Sequence, residues 1–467
     1  MGSPFSSIAL AATAFLSFSH LSHAIALDLD DSASIRAVAK TYAHGLMQMY
    51  PGNQSGIPAS EVGIFPRPHY WWEAGAAWGG MIDYWAYTGD DSFVETVQQA
   101  LYAQMGPGRD FMNEAKRGET GNDDQAFWAL AAMSGAESRF PRRDTAGAAA
   151  PTWLSMVVNA FNTQAARWDL TSCAGGLKWQ IFPENAYGYN YKNAISNGGF
   201  FQMAARLLHY TGDSRYQDWA ERTWDWCERI GLISSPHYFI FDGSDDKLNC
   251  SEINHLQFSY NAGMFLGGAA YMYNYTNGST VWAERVAGLL QGSAVFFSPF
   301  PNATDVMYEA ACETIGTCNL DQQSFKAYLS RWLAKTSVLV PFTAPAIRTL
   351  LRTSAAAAAR SCSGGADGVT CGSKWYTGGW DGKSGVGQQL SGMEVTQALL
   401  VESAPAPVHE ADVYIGPAPP MATVGVPKRT VTAEAAGVTN GAAIGSKVGK
   451  VVPGAAAAVV LGFGGWL

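Results

Sequence analysis

Residues 197–231 read NGGFFQMAARLLHYTGDSRYQDWAERTWDWCERIG, two helical segments meeting at Thr211-Gly212-Asp213. The first segment is rich in Gly and Ala and apolar nearly all round. The second sets Asp, Glu and Arg opposite Tyr and Trp. A helix apolar on every side belongs inside a protein, and an amphipathic one covers it. The same turn recurs after MIDYWAYTGDDSF, from residue 81, and in YMYNYTNGSTVW, from residue 271. Thr88, Thr211 and Thr276 are spaced by 123 and 65 residues, two units and one unit of roughly 60.

Working outward, this pattern predicts twelve helices. They lie near 32–50, 71–87, 92–105, 123–135, 152–167, 195–210, 216–230, 257–274, 281–295, 322–337, 343–359 and 388–401. Six helical hairpins suggest a closed toroid, an all-α double ring. Small side chains let inner helices crowd round an axis, so EAGAAWGG (73–80) and NAGMFLGGAAYM (261–272) are expected inside and the charged helices outside. No stretch reaches 18 apolar residues without polar interruption, which argues against a membrane bundle.

Composition narrows the function. Of 467 residues, 48% are hydrophobic and only 15% charged, with a net charge of −9. No Lys/Arg run exceeds a dipeptide, so nucleic acid is not an expected partner. The 16 Trp, 20 Tyr and 22 Phe are a heavy aromatic share that fits a carbohydrate cleft, where rings stack on sugar faces, although most of them must be core. There is no C-x-x-C and no H-x-x-x-H, which disfavours a thiolate metal site or a zinc hydrolase; neither metal nor cofactor is expected.

Both ends read as processing signals. Residues 1–26 carry no Asp, Glu, Lys or Arg, include IALAATAFLSF and close on Ala24-Ile25-Ala26, the pattern of a signal peptide lacking its usual basic start. At the other end Asn440-Gly441-Ala442 precedes a polar spacer and an apolar tail too short to span a bilayer, the pattern of a GPI-attachment signal with Asn440 as the site. This organisation expects a signal over 1–26, a helical domain over 27–402, an Ala/Pro-rich tether over 403–440 and a removed tail over 441–467. It implies a secreted protein anchored at the plasma membrane or wall. Sequons at Asn53, Asn249, Asn274, Asn277 and Asn302 agree. In an oxidising compartment the close pairs Cys312/Cys318 and Cys362/Cys371 staple loops, leaving Cys173, Cys227 and Cys250 with pairing open.

The chemistry is sought in GNDDQAFWALAAM (121–133). Neighbouring residues on a helix diverge by about 100°, so adjacent Asp123 and Asp124 make an unusual pair. Gly121 and Asn122 are turn formers, placing Asp123 at or just before the N-cap, where both carboxylates can face the cavity. Consecutive Cα atoms about 3.8 Å apart would set the carboxyls at about 5 Å. Retaining glycosidases need about 5–5.5 Å and inverting ones more. Exposed N–H groups at a helix start favour the anion, suiting Asp123 as nucleophile, and the like charge beside it keeps Asp124 protonated as acid/base. The same tripeptide would also serve as an ordinary cap cluster.

Beside these residues, YWWEAGAAWGGMIDYWAYTGD (70–90), NAISNGGFFQMAARLLHYTGD (193–213) and NHLQFSYNAGMFLGGAAYMYNYT (254–276) resemble the signature blocks of glycoside hydrolase family 76, the α-1,6-mannanases, over about residues 28–400. The terminal signals resemble its fungal, GPI-anchored branch. That resemblance implies an (α/α)6 barrel and a retaining mechanism on Asp123 and Asp124. It also implies a role in wall assembly, cutting the mannose core of GPI glycans and passing mannoproteins to β-glucan. Plain endo-1,6-α-mannosidase action and non-catalytic mannan binding are the alternatives.

Further candidates for substrate contact are Asn122 and Asp242, the latter in YFIFDGSDD (238–246), with Trp71, Trp72, Trp179, Tyr191, Trp375 and Trp380 as sugar platforms. Asp245 and Asp246 match no calcium loop and read as a solvated turn.

Overall fold

The computed structural model describes residues 25–143 and 150–408, all within one compact unit, Met1–Pro419. The cleavage signal up to residue 24, residues 409–467 and with them Asn440 lie outside the described residues.

All twelve expected helices are present. They are α1 (Ser32–Gln48), α2 (Trp71–Thr88), α3 (Val94–Gln104), α4 (Asn122–Glu137), α5 (Trp153–Ala166) and α6 (Ala194–Thr211). The second half contributes α7 (Ser214–Ile230), α8 (Ser259–Tyr275), α9 (Thr280–Gly292), α10 (Phe325–Leu339), α11 (Ala344–Ser361) and α12 (Val386–Gln397). The even-numbered helices pack each on the next, and α12 returns to α2, closing an inner ring of six. The odd-numbered helices lean on this ring from outside.

Sequence dictates the sorting. Almost every residue of α2, α6 and α8 is buried, whereas α7 buries one stripe, including Tyr216, Trp219, Thr223 and Trp226. Glycine permits the inner contacts. A Cβ on Gly263 of α8 would stand 2.9 Å from the Leu329 Cα of α10, closer than such atoms ever pack. The recurring turn is a shared hydrogen-bond unit. Thr88 and Thr211 Oγ1 donate back to the carbonyls of Tyr84 and Leu207, and accept from the N–H of Asp90 and Asp213. Those aspartates then cap the next segment through Ser92 N and Arg215 N. Gly89 and Gly212 between them take φ of 74° and 70°, the left-handed region that stops a helix.

The inner helices all start at one mouth of the barrel. Near their far ends each contributes one or two polar groups to a buried network. Glu137 (α4) accepts from Arg206 (α6) and from the Tyr271 hydroxyl (α8). Arg331 (α10) pairs with Glu394 (α12), and Lys335 (α10) stands 3.1 Å from Asp83 (α2). Three cations meet three carboxylates, so the charge balances where solvent is excluded.

At the open mouth, β1 (Tyr191–Asn193), β2 (Gly243–Asp245) and β3 (Ile253–Asn254) form a small antiparallel sheet in that order, Tyr191 opposite Asp245 and Gly243 opposite Asn254. Disulfides join Cys312 to Cys318 and Cys362 to Cys371, as the spacing suggests. The remaining trio resolves into Cys173–Cys250, which fastens the loop after α5 to the β2–β3 loop, and a buried free Cys227. Among the described residues no helix is long and apolar enough to cross a membrane.

Candidate active site

The N-terminus of α4 differs from the sequence expectation by two positions. Gly121, extended at φ −99° and ψ 177°, is the N-cap, so Asp123 and Asp124 occupy the second and third helical positions. Asp124 reaches back and accepts the Gly121 N–H at 2.5 Å, the return half of a capping box. That turn brings both side chains to one glycine. A Cβ on Gly121 would lie 2.5 Å from Asp123 Oδ1 and 2.9 Å from Asp124 Oδ2, so these two oxygens stand within 5.4 Å of each other, the sum of the two. Asp124 is 8% exposed, Asp123 is half-buried, and the buried Asp123 Oδ1 has no hydrogen-bond partner.

Electrostatics separate the pair. Burial lifts Asp123 to about 7, against the pull of its own N–H, that of Asp124 and the Trp179 side chain. Burial and then the Asp123 charge push Asp124 well above the usual carboxylate range. Of two neighbouring acids, Asp124 therefore holds its proton the more firmly.

A third carboxylate faces the pair from the turn ahead of α10. Asp321 accepts the Trp72 indole N–H at 3.0 Å, and its charge acts on both Asp123 and Asp124. Burial, then the neighbouring Glu73, raise it to about 7. Tyr260, stacked flat on Phe325 with centroids 3.7 Å apart, lies within the fields of Asp123, Asp242 and Asp321 together, which gathers these acids around one ring. Asp242 accepts from the Tyr191 hydroxyl at 2.8 Å and Asn254 Nδ2 at 3.3 Å. Burial raises it above the usual range. Carboxylates and rings gathered at the N-terminal ends of the inner helices are suited to bind hydroxyl groups and exchange protons with them.

The profile of glycosyl hydrolase family 76 matches residues 34–411. The chain belongs to this family. It is a glycoside hydrolase. Among the relatives of this family 76 chain, the mannan endo-1,6-alpha-mannosidase DCW1 of Candida albicans is 47% identical over 84% of this chain and 85% of its own length. The mannan endo-1,6-alpha-mannosidase DFG5 of Saccharomyces cerevisiae is 43% identical over 85% and 84%. Among solved structures, Dfg5 from Chaetomium thermophilum in complex with glucosamine aligns with a TM-score of 0.77 at 39% identity, covering 82% of this chain and 94% of that one. An inactive variant of the alpha-1,6-mannanase GH76A of Salegentibacter sp. HEL1_6, in complex with alpha-1,6-mannotriose, aligns at 0.61 and 18% identity over 79% and 99%, a likeness of fold.

In this family 76 chain the expected site residues divide. Asp123, Asp124, Asp242, Trp179 and Tyr191 come together at the mouth. Asn122 does not face it: its Nδ2 donates to Lys178 O and its Oδ1 accepts from Arg167, so its amide is consumed in fixing the start of α4. Trp71 stacks on Trp128 in the core, and Trp375 is wholly buried beneath the Lys326 ammonium, so neither is a platform. Trp72 packs against Phe127 and Tyr328 and serves the site through its N–H. Trp380 is 42% exposed, with Gly364 tight against its ring and its N–H on Lys383 O.

Asp246, read as solvated, is instead buried and paired with Lys178, while Asp245 caps a short turn through Lys247 N. Asn53, Asn249, Asn277 and Asn302 are exposed. Asn274 is exposed too, and its Nδ2 donates to Leu339 O. Sequence reasoning missed Asp321 and Tyr260. Asp321 sits in CNLDQQSFK (318–326), a plain helix lead-in, and only the closing of the ring brings it within reach of Trp72 and the pair.

Proposed function

We propose that this chain cleaves α-1,6-linked mannose with retention of configuration, at the cell surface, and passes the released glycosyl group to a wall polysaccharide. The observation that carries the reading is the Gly121 corner. Adjacent aspartates folded onto one glycine, with one oxygen of each within 5.4 Å, favour the short carboxyl separation of a covalent route over the wider gap that an inverting enzyme keeps for a water.

In the first step the Asp123 carboxylate attacks the anomeric carbon. The glycosidic C–O bond breaks, and Asp124 gives its proton to the departing oxygen. Because Asp124 Oδ2 is held by the Gly121 N–H, the proton resides on Oδ1. In the second step the Asp124 carboxylate takes a proton from the acceptor hydroxyl, which displaces Asp123 from the same carbon. Water as acceptor gives hydrolysis; a sugar gives transfer. Asp321 and the Asp242–Asn254 pair offer oxygens and an amide to the hydroxyls of the bound oligosaccharide.

The substrate class rests on the curated fungal relatives, which cover more than four-fifths of their lengths and carry mannan endo-1,6-α-mannosidase names. The glucosamine complex of the Chaetomium relative supports a donor with an amino sugar beside its mannose, as in a GPI core. Transfer to β-glucan, a membrane anchor at Asn440 and cell-wall location rest on the terminal sequence patterns. The test uses an α-1,6-mannoside donor with graded β-glucan oligosaccharide. Proton NMR of the first-formed product reads its anomeric configuration, and mass spectrometry seeks mannosyl-glucan conjugates. Inverted product would overturn the double displacement. Free mannosides alone at every acceptor concentration would leave a plain hydrolase.

A further inference from the structure

The hairpin between Trp179 and Tyr191 carries a feature that the cleavage chemistry does not use. Its base is fixed: Trp179 N–H donates to Tyr191 O, Gln180 N–H to Gly188 O, and Asn122 N–H to Trp179 O, which ties it to the start of α4. Its far side is fixed as well, since the Arg117 guanidinium lies 3.6 Å over the Phe182 ring and 2.9 Å from Glu184. Between these anchors Gly188 turns at φ 90°, with no room for a Cβ against the Trp179 ring. That turn thrusts Tyr187 outward, 79% exposed.

Exposed tyrosines are common singly, but this one has a position. Its ring meets Trp179 edge-on, with centroids 5.5 Å apart and planes at 73°. Trp179 in turn meets the Tyr191 ring edge-on, 6.5 Å between centroids, and the Tyr191 hydroxyl is given to Asp242. An uncovered aromatic face thus stands next to the Asp242–Asn254 polar pair, on a scaffold that does not need to be ordered on binding. A ring face beside a carboxylate and a carboxamide matches a pyranose, whose C–H face stacks while its hydroxyls reach sideways.

We infer that Tyr187, the edge of Trp179 and the Asp242–Asn254 pair form a subsite for a sugar residue next to the one being cleaved, which makes the enzyme select for chain length. The inference rests on the α-1,6-mannoside reading. Tyr187 touches no reacting atom. It positions the oligosaccharide, so its removal acts on long substrates and spares the shortest.

The experiment measures kcat/KM of the intact chain on α-1,6-mannobiose, mannotriose and mannotetraose, for wild type, Tyr187→Ala and Tyr187→Phe. A stacked ring predicts that Tyr187→Ala loses roughly two- to tenfold on the longer substrates, mainly through KM, with little change on the shortest. Tyr187→Phe, which keeps the face, should retain wild-type selectivity. Equal kcat/KM ratios across the ladder in wild type and Tyr187→Ala would overturn the subsite while leaving the mannoside reading standing. Failure of wild type to cleave any member, with activity on another glycan, would overturn the reading and the subsite with it.

Discussion

Trp72 and Asp321, 249 residues apart in sequence, meet in a hydrogen bond of 3.0 Å that sets a third carboxylate across from Asp123 and Asp124. Asp321 as an anion disfavours charge on both. Asp321→Asn should therefore lower both of their pKa values. The acid limb of the pH–rate profile, where Asp123 must ionise, and the alkaline limb, where Asp124 must keep its proton, should both move to lower pH, by about one unit or less. Because Asp321 itself titrates near 7, the alkaline limb should move more. A profile unchanged in both limbs would remove Asp321 from the site.

The roles of the pair separate with an activated aryl mannoside. Asp123→Asn should form no covalent glycosyl-enzyme, because an amide oxygen is a poor nucleophile. Asp124→Asn should still be glycosylated slowly when the leaving group needs no proton. Mass spectrometry of the intact protein reads both. Melting temperatures taken alongside separate lost chemistry from lost fold.

Gly121→Ala tests the corner directly. The backbone there is extended and tolerates alanine, but the new methyl would press on Asp123 Oδ1, Asp124 Oδ2 and the Trp179 carbonyl, 2.8 Å away. Displacing the pair by as much as 1 Å should cut kcat by about 100-fold, with a far smaller change in substrate affinity. Wild-type kcat would show that the shared glycine does not set the geometry.

Stability should fall as pH rises. Burial raises Asp123, Asp124, Asp321 and Glu309, the last to about 8 despite two hydrogen bonds from Ser259. In the unfolded chain they would ionise near pH 4. A raised carboxyl contributes its stability below that value and loses it as pH climbs through the folded pKa. The melting temperature should therefore decline between about pH 5 and pH 8. A rise over that interval would contradict the assignment of these groups as protonated in the fold.

Arg206→Leu should unfold the protein more readily, because Glu137 would lose the guanidinium that pairs with both its oxygens and keep the Tyr271 hydroxyl. Removing one partner of a buried pair costs about 3–5 kcal/mol, measurable by denaturant titration. A loss below about 1 kcal/mol would mean that water reaches Glu137.

The double ring was legible because its code is local. A Gly/Ala-rich apolar helix, a Thr-Gly-Asp turn and an amphipathic helix repeat closely enough that NGGFFQMAARLLHYTGD and WEAGAAWGGMIDYWAYTGD announce the same unit. Asp123 and Asp124 were legible for the same reason, and the misplaced cap followed from spending both Gly121 and Asn122 on the turn, when Gly121 is itself the cap and Asn122 already helical. The failures depend on distance in sequence. Nothing in GSKWYTGGWDG tells that Trp375 is swallowed by the core while Trp380 is not. Nothing near Cys173 names Cys250 as its partner, 77 residues on. Asp321 is invisible until the ring has closed and Trp72 meets it.

The buried network at the closed end draws a group from every inner helix, and Glu394, on the last of them, is the partner of Arg331. During synthesis the cations on α10 are therefore made some sixty residues before the carboxylate that satisfies one of them, and until α12 arrives the ring stands open along the side where α2 waits. Gln397 Nε2 then reaches the Gly80 carbonyl, 317 residues back. Closure is the final act of assembly and joins the chain's beginning to its end, so a chain cut short before α12 would be left as a cracked cylinder with stranded charge, a ready substrate for quality control.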